Sequence, residues 1–214
     1  MPLLQMRYLL LNSCLIFLLG CSSVYHKMEK AHADPACLLQ FRPQFTKALY
    51  NTKVDVMGKH LSGLLIIKAM PDSSTRLVFS HEMGFKYFDF EFSASGVFKV
   101  YSILPQMDKK AVITTLRKDF ELLLMQHLDA EKAFVRKKDG LIYYGFPQTK
   151  GNNYYITDSA CHQLVRLERA SRRKAVVQAI MENYADGMPD TIGITHHIPH
   201  LNADFTIGLK KLKQ

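Results

Sequence analysis

Tryptophan is absent from the 214 residues, and cysteine occurs only four times. The chain also has no Gly-x-Ser-x-Gly elbow, no His-Glu-x-x-His pair and no phosphate-cradling glycine loop. Acyl transfer, metal-assisted hydrolysis and nucleotide chemistry rely on such residues at fixed spacing, so none of these reaction classes is signalled. Ser159-Ala160-Cys161-His162 sets a thiol beside an imidazole, yet neighbours on a strand point to opposite faces. Asp and Glu are scattered rather than paired. His196 and His197 diverge for the same reason, and His200 has no acidic neighbour in sequence. No Cys/His cluster has metal-ligand spacing, so neither a metal nor a cofactor is expected and the chain reads as non-enzymatic. Internal repeats and low-complexity segments are missing too.

What is present begins with a targeting signal. Arg7 is the only charge before a largely apolar run, Tyr8 to Leu19, that closes on Leu18-Leu19-Gly20-Cys21. The run is shorter than the roughly 20 apolar residues of a membrane-spanning helix, and its layout is that of a secretory signal. The tetrad resembles the lipobox of bacterial lipoproteins, which implies cleavage before Cys21 and acylation of its thiol, with chains such as palmitate. Residues 1–20 are expected to be the signal peptide and 21–35, opening on Ser22-Ser23, a lipidated tether. Ser22 is not an acidic inner-membrane retention signal, so the outer membrane, facing the periplasm, is the expected location.

The apolar fraction of 48% excludes a disordered chain and supports one core, in a single domain from residue 36 to 214. The net charge of +9 falls by one when Arg7 leaves with the signal peptide. In a cytosolic protein such basicity would suggest nucleic acid; an exported lipoprotein instead meets anionic head groups. Arg166, Arg169, Arg172, Arg173 and Lys174 gather at a strand end and its turn, as head-group contacts or as a solvated turn that blunts edge pairing. Cys14 is lost with the signal and Cys21 to lipid, leaving Cys37 and Cys161 either to pair or to be buried separately.

From Lys47 onward the hydrophobic period is two. Ala48, Tyr50, Thr52, Val54 and Val56 share one face of a strand, and further strands are expected at 61–69, 76–81, 85–92 and 97–104. A short helical turn is expected before them at 36–41. A helix from about Lys109 to Leu128, with Asp108 as cap, carries the stripe Val112, Leu116, Phe120, Leu123, His127 and Leu128. Further strands follow, starting with the hairpin around Lys138-Asp139-Gly140. The sum is an antiparallel α+β chain, mainly β, of roughly ten strands with one long helix inserted.

This order of elements resembles the LolA/LolB-like fold of outer-membrane lipoprotein carriers and acceptors. The residues that carry the likeness are the lipobox, Phe45 to Met57 running into Ser62 to Lys68, Met83 to Phe90, and the closing strand Thr206 to Leu212. The resemblance implies an incomplete antiparallel barrel around an apolar cavity, helices plugging its open side, and acyl chains held without covalent chemistry. Characterised members use aromatic residues including Trp in the cavity, and this chain has no Trp. Phe88, Phe90 and Phe92, every second residue of one strand, are the expected lining, with Leu116, Phe120 and Leu123 on the helical lid. The expected function is a membrane-anchored carrier or acceptor of lipid or lipoprotein cargo. The alternative is a structural or assembly accessory whose interior is filled and whose partners are other envelope proteins.

Overall fold

The computed structural model describes residue 25 and residues 27–56, 58–126, 128–197 and 205–212. Its strands are β1 (Glu29–Lys30), β2 (Lys47–Val56), β3 (Lys59–Ala69), β4 (Thr75–Ser80), β5 (Lys86–Phe92) and β6 (Phe98–Ile103). Helix α1 (Lys110–Leu123) follows, then β7 (Phe134–Lys138), β8 (Leu141–Pro147), β9 (Asn152–Thr157), β10 (Leu164–Ala170), β11 (Ala175–Ala185), β12 (Met188–His196) and β13 (Phe205–Lys211).

All thirteen strands lie in one antiparallel sheet, in the order β1-β7-β8-β9-β10-β11-β12-β13-β2-β3-β4-β5-β6. The two edges, β1 and β6, are not paired with each other, so the barrel is unclosed. The last strand, β13, joins the halves: Ile207 opposes both Ile194 on β12 and Val54 on β2. Two hairpins are set by turns in which consecutive residues take positive φ, Asp139-Gly140 (51° and 77°) and Asp186-Gly187 (52° and 73°). That pair of conformations is the primed turn matching the twist of adjacent strands.

Alternation supplies the inner face. Ala48, Tyr50 and Thr52 of β2, Phe88, Phe90 and Phe92 of β5, and Ile192 and Ile194 of β12 are all buried. A smaller cluster on the opposite face of the sheet gathers Met28, Tyr143, Tyr154, Ile156 and Ala170. Asp89, between two inward phenylalanines, is buried on that outer side, where Arg76 (2.5 Å) and Lys86 (2.9 Å) bind it. Burial would raise its carboxyl; the hydrogen bonds from Arg76 and Lys86 outweigh that and hold it below the usual carboxylate range.

Four expectations shift. The strands number thirteen among the described residues rather than about ten. The segment read as tether is attached well before residue 36: Tyr25 stacks on Tyr154 at 4.8 Å and donates to Glu168, and β1 pairs with β7. An aromatic ring and two extended residues suffice for this, although the stretch is polar overall. Asp108 does not cap α1. It closes the 3-10 turn Pro105–Met107, while Lys109 occupies the cap position without a side-chain bond. The helix also stops at Leu123 rather than Leu128, because Met125 turns into the left-handed region at φ 48° and is fully buried there. His127 of the expected stripe lies outside the described residues. The turn expected at 36–41 is a 3-10 helix, Pro35–Phe41, capped by Asp34, and Cys37 within it is disulfide-bonded to Cys161. Among the described residues no helix is long and apolar enough to cross a membrane.

Candidate functional site

Helix α1 lies across the inner face of the sheet and does not fill it evenly. Its last turn and the residues after it, Leu122, Leu123, Leu124 and Met125, are buried in the continuous core. Toward its N-terminus the helix stands off the sheet and leaves a cavity of about 540 Å³. Val54, Leu65, Phe79, Phe88 and Ile207 form its sheet side, and Val112, Leu116 and Phe120 its helix side. The volume falls within the roughly 300–1,000 Å³ typical of small-molecule sites, and the walls are chiefly aliphatic and aromatic.

Thr52, Gln106, Lys109 and Thr115 also touch the cavity, and one buried acid interrupts its walls. Asp119 is 1% exposed and projects from α1 among Leu116 and Phe120. Its Oδ1 accepts from Arg169 Nη1 on β10 at 3.0 Å, and its Oδ2 lies 2.9 Å from His196 Nε2 on β12. A carboxylate withdrawn from water survives only with such a partner, since its desolvation costs several kcal/mol. The approach of Nε2 to Oδ2 misses hydrogen-bond geometry, so both atoms are buried without a hydrogen-bonded partner among the described residues. Near the other end of the helix the Tyr155 hydroxyl donates to Leu122 O at 3.4 Å; burial raises its pKa well above the ordinary phenol value, so it stays a neutral donor.

The expected lining is divided. Phe88, Leu116 and Phe120 line the cavity. Phe90 and Phe92 share the face of Phe88 but are sealed against Phe98, and Leu123 belongs to the packed end of α1. The stripe and the alternation place these residues on the right faces; which part of a face is filled depends on the tilt of α1 against the sheet.

The basic run is divided as well, because parity on β10 separates its members. Arg166 faces outward to Glu168 (2.7 Å) and Tyr143 (3.0 Å). Arg169 faces inward to Asp119, and Arg172, Arg173 and Lys174 form the β10–β11 turn. A cleft opens along the flank of α1 facing this turn and the β8–β9 loop, where Arg117, Lys118, Lys150, Arg169 and Arg172 meet Thr149 and Ser171. Glu121, bound to Arg117 at 2.7 Å, is the acid on this lining. Arg169 thus stands between a cationic cleft and an apolar cavity.

Asp119, His196 and Lys150 were not singled out as a site by the sequence reading. The first two had a signal: Asp119 sits three residues after Leu116 inside the apolar stripe, and His196 continues the inward alternation of Ile192 and Ile194. A charge on the apolar face of a helix implies a buried counter-charge, and Arg169, in phase with inward Leu167, is the matching residue. Lys150 carries no comparable signal, as its loop is placed only by the fold.

No protein-family profile and no curated protein matches this sequence. Several solved structures are similar. A LolA superfamily protein from Nitrosomonas europaea has a TM-score of 0.50 at 8% identity, over 86% of this chain and 93% of its own. A DUF1329 family protein from Desulfovibrio piger has 0.42 at 11%, over 85% and 92%. A domain described as an outer membrane lipoprotein-sorting protein, from Vibrio parahaemolyticus, has 0.43 at 11%, over 84% and 90%. At such identities the likeness concerns the fold, and that fold is LolA/LolB-like.

The buried pair has a measurable consequence. Arg169→Met leaves the Asp119 carboxylate uncompensated and is expected to lower stability in urea unfolding by about 3–5 kcal/mol. Combining it with Asp119→Leu is expected to recover most of that loss.

Proposed function

We propose that this chain is a lipid-anchored envelope protein that holds the acyl chains of a lipid or lipoprotein in the cavity beneath α1 and receives or passes them without covalent chemistry. The observation that carries this reading is the apolar cavity of about 540 Å³ left between α1 and an unclosed sheet of LolA/LolB-like fold. A helix whose contact with the sheet is apolar exchanges it for an acyl chain at small net cost, because both are withdrawn from water to the same degree. The N-terminal half of α1 is therefore the movable part of the lid. The cleft of Lys118, Lys150 and Arg172 supports docking to anionic head groups, each basic residue contributing about 1 kcal/mol near an anionic leaflet. Cys21, outside the described residues, is the proposed acylation site, and the outer membrane facing the periplasm the proposed location.

Native mass spectrometry of protein beginning after Cys21 tests the cavity. The expected result is co-purifying lipid that is lost in Val54→Trp, where the indole occupies the cavity, with the circular dichroism spectrum unchanged. A protein that retains no lipid and accepts no fatty-acid probe would favour the accessory role through protein contacts. Metabolic labelling with a fatty-acid analogue tests the anchor: the protein should be labelled, and Cys21→Ala should abolish the label. Persistent label on Cys21→Ala contradicts the assignment.

A further inference from the structure

We infer that the cavity selects an apolar ligand bearing a hydroxyl group, which Asp119 and His196 bind together. This rests on the cavity being a cargo site, as proposed above, and adds the chemical class of the cargo. Both residues line the cavity, Asp119 at 1% and His196 at 6% exposure. Among the described residues, Asp119 Oδ2 and His196 Nε2 are left without hydrogen-bonded partners, while Arg169 already occupies Oδ1. Buried polar atoms of this kind are uncommon enough to require an explanation.

The spacing decides what fits. Nε2 lies 2.9 Å from a carboxylate oxygen, whose negative charge favours the tautomer that carries a proton there. The pair therefore presents a donor and an acceptor close together, off axis from each other, at one wall of a chiefly apolar chamber whose lining also includes Thr52, Gln106, Lys109 and Thr115. A hydroxyl oxygen donates to Oδ2 and accepts from Nε2 at the same time. An ammonium group only donates, and a carboxylate is repelled by Asp119. A trans secondary amide points its N–H and C=O in opposite directions and reaches one atom only. A bare alkyl chain leaves both atoms unpaired. The shared chemistry belongs equally to a hydroxylated acyl chain and to a polycyclic alcohol.

Delipidated protein is loaded with a fluorescent fatty acid and challenged with stearate, with hydroxystearates carrying the hydroxyl near the carboxyl or at mid-chain, and with cholesterol. The expected result is that one hydroxylated probe competes about tenfold better than stearate. Preference for a hydroxystearate identifies an acyl cargo, and preference for cholesterol a polycyclic one. His196→Gln, whose amide N–H falls near the position of Nε2, should keep the preference. His196→Leu should abolish it. In the unaltered protein the ¹⁵N resonance of His196 Nε2 should move with the hydroxylated probe and not with stearate, a readout that needs no variant. Equal competition by all probes, as when water satisfies the pair, overturns the inference and leaves the carrier reading standing. Failure of every probe, stearate included, overturns the carrier reading itself.

Discussion

The ion pair between Asp119 and Arg169 is where the interior of this protein changes character. A carboxylate at 1% exposure is tolerable only while the guanidinium stays within hydrogen-bond distance, so α1 and β10 are held together at that level. On the C-terminal side of Asp119 the helix is committed: Leu122, Leu123 and Met125 are in the core, and Tyr155 reaches Leu122 O from β9. On the N-terminal side Val112 and Leu116 look across open space at Val54 and Ile207. One helix thus forms a packed wall at one end and the roof of the cavity at the other, and its single buried acid marks the division.

The sheet makes that division possible. Thirteen strands that curve without closing enclose more volume than one helix fills, and the edges β1 and β6 never meet. β13 inserts between β12 and β2, so the cavity wall is stitched from strands far apart in sequence. Opening that wall breaks backbone ladders, whereas the first turns of α1 meet the sheet across the cavity chiefly through Val112 and Leu116. On the carrier reading, the sheet is the rigid element and the start of α1 the movable one. The cationic cleft lies on the opposite flank of the same helix, so Lys118 and Asp119, adjacent in sequence, face the cleft and the buried interior respectively.

Most of the fold was legible in the residues. Period-two alternation put Tyr50 and Phe88 on the faces that are buried, the Asp139-Gly140 turn announced its hairpin, and the stripe on α1 gave the correct helical face. What failed was local or three-dimensional. The cap at Asp108 was displaced by a 3-10 turn begun at Pro105, and the end of α1 was set by Met125, a residue with no intrinsic preference for the left-handed region. Tyr25 was hidden in a polar segment because its partner, Tyr154, lies far along the chain. The site was half legible: its apolar residues were visible as a face, but the boundary between filled core and cavity follows from how α1 is tilted by Asp119, Arg169 and His196. Each of those three interrupts an apolar pattern, and reading such interruptions as a set would have brought them together.

The central claim is that the N-terminal half of α1 is a movable lid over a cavity with a rigid wall. Amide hydrogen exchange measures it directly, by comparing residues 110–116 of α1 with residues 61–68 of β3 in delipidated and lipid-loaded protein. The account predicts that the helix segment exchanges faster than the strand and slows when lipid is added, while the strand is unchanged. Equal protection of both segments, unaffected by lipid, would contradict it.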